Sequence, residues 1–267
     1  METTPRPSPT PIPLQPWPSR TAGLGGTCNR SAHARVQRTA LAAVLGLTLW
    51  ATPRADAALS GSLALTSDYV WRGTSQTDGK PALQGGVEYG HESGLYLGVW
   101  GSNVDFAEDV DDPARIEVDL SAGWRGETAS GIGWDLSLVR YIYPRTTEDY
   151  DSNELKLALS YAMVTLEVDY SNDAFATGED AFYYRVELSR ELEDLLTLSA
   201  AIGYSDLDQA ITGEGAPESY VDWRIGAARQ LWGVDLDLSY YDTNGNGKEL
   251  YGDIADGRLV LTLSKAF

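Results

Sequence analysis

Charged side chains recur here at every second position between apolar ones: Ile116-Glu117-Val118-Asp119-Leu120, Leu166-Glu167-Val168-Asp169-Tyr170 and Val234-Asp235-Leu236-Asp237-Leu238 are three cases. A period of two puts the charges of each segment on one face of an extended chain. Carried along the sequence, the same phase collects Asp68, Glu88, Glu117, Asp119, Asp135, Glu167, Asp169, Glu187, Asp222, Asp235 and Asp237, interspersed with Arg72, Arg125, Lys156, Arg185 and Arg224. If these faces enclose a common space, charged rings of this type set ion selectivity, and the excess of acids favours cations. The alternative chemistry is mutual neutralisation, with Glu117 and Asp119 pairing with Arg72 or Arg125 and the space filled.

A second constellation lies near the C-terminus. Asp242, Asn244, Asn246 and Asp253, with Gly247 at the sixth place, have the spacing of a calcium loop, whose oxygen donors wrap a hard cation. Calcium is the only cofactor the sequence suggests. The rival reading is a hairpin turn, because Asn-Gly pairs form such turns and Asp stands where calcium loops carry Glu. His91 is the one histidine after residue 57 and falls in a short turn, away from any acid-base partner. GxSxG, HExxH and phosphate-loop patterns are absent, and Gly131-Ile132-Gly133 opens a strand instead of a helix. The expectation is a protein that is not an enzyme.

The elements that must position these charges are strands. Twelve alternating segments start near residues 59, 81, 94, 115, 131, 153, 163, 181, 195, 219, 232 and 258, and their apolar faces end in aromatic residues. The first face reads Leu59, Gly61, Leu63, Leu65, Tyr69, Trp71. Connections alternate between long and short. The long ones hold twenty acidic residues against three basic ones, Lys80, Arg145 and Lys248, so one end of the molecule is strongly anionic. An even strand count, short turns at one end, long loops at the other and aromatic girdles predict an all-β, transmembrane antiparallel up-and-down β-barrel, with short periplasmic turns and long acidic extracellular loops. The acidic loops either simply keep that surface solvated or hold cations, for example by bridging lipopolysaccharide through divalent metal.

Residues 1–34 form a Pro- and Ser-rich extension that contains the sole cysteine, Cys28, and suggests a start site placed too early. Residues 35–57 read as a signal peptide: basic Arg35 and Arg38, an apolar run Ala40 to Ala51, and Ala55-Asp56-Ala57 as the cleavage site before Ala58. Twelve apolar residues are too few for a helical span, which needs about 20. The barrel is expected over 58–267. Its formal charge, after loss of six arginines and two acids from 20 basic and 39 acidic residues, is −23, which argues against nucleic acid as a partner. Phe267 ends the last strand and is the expected signal to the barrel-assembly machinery. A homo-oligomer is compatible with this reading.

The stretches SDYVWRG (67–73), KPALQGGVEY, GLYLGVWGSNVD and the terminal ADGRLVLTLSKAF resemble the TorF-type porins of proteobacteria. The resemblance is most specific in the first three strands and the last, and it implies an outer-membrane barrel in contact with lipid and lipopolysaccharide. The expected function is passive diffusion of small hydrophilic solutes with cations preferred. The alternatives are a closed structural or binding barrel with cation-binding loops, and a soluble periplasmic barrel.

Overall fold

The computed structural model describes residues 58–106, 114–144, 146, 150–192 and 196–267. The N-terminal extension, Cys28, the signal sequence 35–57 and Arg145 lie outside the described residues. β1 (Ala58–Thr66) is followed by a miniature pair, β2 (Val70–Trp71) and β3 (Thr74–Ser75). Then come β4 (Ala82–Gly90), β5 (Leu95–Asn103), β6 (Ile116–Glu127), β7 (Gly133–Ile142), β8 (Ser152–Tyr161) and β9 (Val164–Ser171). The chain continues with β10 (Ala181–Leu192), β11 (Leu196–Leu207), β12 (Ser219–Leu231), β13 (Val234–Thr243) and β14 (Arg258–Ala266), with short helices α1 (Gln209–Thr212) and α2 (Gly245–Tyr251) in two of the long loops.

All strands except β2 and β3 join one closed antiparallel barrel of twelve, each paired with its sequence neighbour, and β1 closes the ring by pairing with both β4 and β14. Closure leaves no strand edge unpaired. The alternation resolves into two surfaces. Leu59, Leu83, Leu97, Leu120, Leu138, Leu157, Leu166, Ile202, Ile225 and Leu261 are exposed on the outside, while Glu117, Asp119, Lys156, Asp169 and Arg224 are buried inside. Outward aromatic rings touch near both ends of the strands: Trp124 and Trp134 at 4.4 Å beside a short turn, and Tyr170, Phe182, Tyr184 and Tyr204 in a chain of contacts of 4.8 to 6.4 Å towards the long loops.

The first strand corrects the sequence reading. Tyr69 and Trp71 continue the phase of Leu63 and Leu65 but are 6% exposed, inside the barrel. Pairing ends at Ser67: its main-chain N–H donates to Leu261 O at 2.9 Å, and its side-chain Oγ accepts from Leu261 N–H at 3.0 Å where a strand would offer a carbonyl. The chain then leaves the wall and turns inward.

Phe267 closes the seam from the other side. Its main chain exchanges hydrogen bonds of 2.8 and 3.0 Å with Gly61, and its ring lies where a Cβ on residue 61 would be, 2.5 Å from the nearest ring carbon. Gly61→Val is therefore expected to push the ring off the seam and slow refolding into lipid vesicles, while Ser62→Ala on the inner face leaves the rate unchanged. Electrophoresis without heating, in which a folded barrel migrates faster, reads the difference.

Candidate functional site

The interior is the candidate site, and its centrepiece is the segment 67–79, which folds into the lumen as a hairpin. Its tip is Arg72-Gly73, with φ of +43° and +81°. Glycine takes that conformation without penalty, whereas an arginine held there is strained. Asp68 organises the base, with Oδ1 accepting from Ser75 Oγ at 2.6 Å and Thr77 Oγ1 at 2.9 Å and Oδ2 pairing with Arg258 of β14 at 2.8 Å. Tyr69 donates its hydroxyl to both oxygens of Glu117 on β6, at 3.3 and 3.4 Å.

Arg72 crosses the lumen to the far wall. Its guanidinium pairs with Glu154 of β8 at 2.9 Å and Asp169 of β9 at 3.0 Å, and lies 4.1 and 4.3 Å from the ring centres of Trp71 and Tyr183. Lys156 contacts the same Asp169, together with Glu167 at 3.4 Å and Glu154 at 3.5 Å. Two cations thus stand among three carboxylates, all less than one tenth exposed, and every one of the three touches at least one of them. Buried charges persist only when matched in this way.

The remaining charges form smaller sets. Arg125 pairs with Glu88 and stacks on Tyr96 at 4.1 Å, and Tyr96 donates to Asp135 at 2.7 Å. Arg185 pairs with Glu187, and Arg224 binds Asp237 at 2.9 Å and Ser239 Oγ at 3.0 Å. Asp222 accepts from the Tyr183 hydroxyl at 3.2 Å. Asp235 accepts from Gln230 at 3.0 Å near the short-turn end. The structure thus places all the sequence-selected charges inside, Asp68 and Arg72 on the hairpin and the rest on the wall. The pairing of Glu117 and Asp119 with Arg72 or Arg125, the alternative the sequence offered, does not occur among the described residues. Glu117 takes a phenol instead, and neither oxygen of the fully buried Asp119 has a hydrogen-bond donor among the described residues. Glu154 and Arg258 were missed, although Glu154 shares the phase of Lys156.

At the long-loop end the interior is apolar. Tyr69, Trp100, Phe106, Tyr141, Tyr143 and Tyr150 form one buried cluster, and Trp71, Phe175, Tyr220 and Leu250 a second. Beneath the hairpin a cavity of about 90 Å³ remains, bounded by Arg72, Lys156, Asp169, Tyr183, Arg185, Asp222 and Arg224 among others. That is room for a few waters, each taking about 30 Å³ in the liquid.

The calcium spacing leads to a different local structure. Asn244 caps α2, its Oδ1 accepting from Gly247 N–H at 3.1 Å and Val221 N–H at 3.2 Å; Asn246 donates to Ser219 O at 2.9 Å; Asp242 pairs with Lys248 at 3.1 Å. Asp253 lies in the first turn of the 3-10 helix Gly252–Ala255 after α2, and its main-chain oxygen accepts from Arg258 at 2.7 Å. The four residues serve separate contacts. His91 sits in the turn between β4 and β5, its Nδ1 2.8 Å from Ser93 Oγ.

With this geometry in view, the family comparison is informative: residues 50–267 match the model of Gcw_chp, described as bacterial protein of unknown function. The chain belongs to the Gcw_chp family. The match spans the whole barrel and does not itself name the TorF-type porins that SDYVWRG suggested. No curated relative matches the chain. Among solved structures, the KdgM porin aligns with a TM-score of 0.50 at 6% identity, over 78% of this chain and 99% of that one. The NanC porin aligns at 0.49, with 6% identity over 78% and 98%, and LpxR from Salmonella typhimurium at 0.41, with 10% identity over 78% and 99%. At such identities the KdgM likeness speaks for the fold, a closed barrel of the kind seen in a porin.

Proposed function

We propose that this Gcw_chp protein is a channel of the bacterial outer membrane, delivered there after cleavage of the 35–57 signal sequence, and that small hydrophilic solutes diffuse through it without chemical change. The observation that carries the reading is the sidedness of the closed barrel. A continuous outer belt of leucine, isoleucine and valine with aromatic rings near both ends is costly in water and matched to lipid, whereas the inner surface is charged and hydroxyl-rich. A soluble barrel would need the opposite arrangement.

Cation preference rests on the excess of acids over bases on the inner face, eleven against five among the charges selected from the sequence, and on the acidic long loops at the mouth. The filled mouth favours one second reading, a closed barrel that acts through its outer surface. Refolded residues 58–267 in a planar bilayer under a KCl gradient separate the two. Discrete steps with a reversal potential on the potassium side support the channel. Chloride preference removes the cation assignment, and insertion without current selects the closed barrel.

A further inference from the structure

We infer that the hairpin 68–77 is a movable gate, latched shut by Arg72, and not a fixed part of the wall. The inference rests on the channel reading and concerns how that channel opens. Four observations converge on it. The hairpin's ladder is its own, β2 to β3, and among the described residues its one main-chain hydrogen bond to the rest of the molecule runs from Asp105 N–H to Gln76 O at 2.8 Å, outside the strands of the barrel. Its hold on the far wall is the ionic grip of Arg72 on Glu154 and Asp169, on strands well removed from the hairpin's own base at β1. The closed position is imperfect: Arg72 Nε and Gln76 Oε1 are buried without hydrogen-bond partners among the described residues, and Arg72 has a positive φ. Its return limb turns at Asp78 and Gly79, with φ of +52° and +69°; the hydrogen bonds printed there, Gly79 N–H to Ser75 Oγ at 2.9 Å and Lys80 N–H to Thr77 O at 3.0 Å, stay within the segment, and nothing lies within 4 Å of a Cβ built on Gly79.

These features describe a segment with two accessible positions. A wall element is fixed by its ladder of main-chain bonds, and releasing it unfolds the sheet. The hairpin keeps its own two-strand ladder wherever it lies, so the groups to be separated are Arg72 from its carboxylates, Tyr69 from Glu117, Asp68 from Arg258 and Gln76 O from Asp105 N–H, together with the ring contacts of Tyr69 on Trp100 and of Trp71. Water re-solvates every one of those polar groups once the hairpin lifts toward the long loops. Its removal joins the cavity beneath it to the mouth, because Asp68, Tyr69, Trp71, Arg72 and Gly73 bound that cavity themselves.

Two variants of the 58–267 barrel, which contains no native cysteine, test the gate in planar bilayers. The first is Gly73→Cys with Thr243→Cys. A Cβ on Gly73 lies 2.4 Å from Thr243 Cγ2, which brings the two Cβ atoms within about 4 Å, a span a disulfide bridges. Oxidation is expected to suppress current, and dithiothreitol to restore it. The second is Arg72→Ala, expected to raise open probability about tenfold by removing the latch from a two-state equilibrium. Equal current from the oxidised and reduced staple, or an Arg72→Ala barrel that gates like the unaltered one, overturns the gate while leaving the channel intact. If inserted barrels carry no current in any form, Arg72→Ala included, gate and channel fall together. Arg72→Ala decides the matter alone if the cysteine pair does not fold.

Discussion

Leu157→Lys is expected to prevent stable insertion, while Ala158→Lys, one residue further along the same strand, is tolerated. Leu157 lies at the middle of β8, is 41% exposed, and stands between Leu136 and Val168 on the outer face. An ammonium there meets hydrocarbon, at a cost of about 2–4 kcal/mol near the bilayer centre. Ala158 points inward, and its register partners are Asp135 on β7 and Glu167 on β9. A lysine there gains two carboxylate neighbours, each pair contributing roughly 0.2–1 kcal/mol, which offsets the cost of ordering its side chain. Urea titration of tryptophan fluorescence in lipid vesicles measures both. Equal losses at the two positions would remove the assignment of inner and outer faces.

The second large effect is expected from Lys156→Met. The ammonium is buried among Glu154, Glu167 and Asp169, and its loss leaves three carboxylates with Arg72 as their only cation. Breaking a buried ion network from one side costs about 3–5 kcal/mol, chiefly because charge is left uncompensated. The triple change Lys156→Met, Glu167→Gln, Asp169→Asn leaves Arg72 matched one to one by Glu154 and is expected to recover most of that loss. The same titration decides: a loss below about 1 kcal/mol for Lys156→Met would mean that the network is solvated and behaves like surface ion pairs.

The wall of this barrel is legible in the sequence because a half-buried strand writes its two faces directly into alternating residue types. The twelve segments begin within two residues of the observed strands, and Leu120, Ile202 and Leu261 lie outside as their phase requires. The interior partners are another matter. Periodicity turns Arg72 and Glu154 to the same side but carries no information on which of several inward acids an arginine 82 residues away will reach. Glu154 was in plain phase with Lys156 and could have been included. Tyr69 and Trp71 went to the wrong face because the alternation of β1 runs on unbroken after the chain leaves the wall. The departure depends on a serine side chain standing in for a carbonyl at Ser67 and on a left-handed turn at Arg72-Gly73, neither of which alters the hydrophobic pattern. Asn244 shows the same limit at short range, since an oxygen donor spaced for calcium is equally suited to cap a helix.

The central claim, a barrel with lipid outside and an aqueous path inside, is tested most directly by single cysteines at positions 157 and 158 in vesicle-inserted protein, exposed to a small, charged, membrane-impermeant thiol reagent. The account predicts modification of the cysteine at 158 and protection of the one at 157. Protection at 158 together with modification at 157 would contradict it, placing water on the leucine face and leaving the charged interior closed.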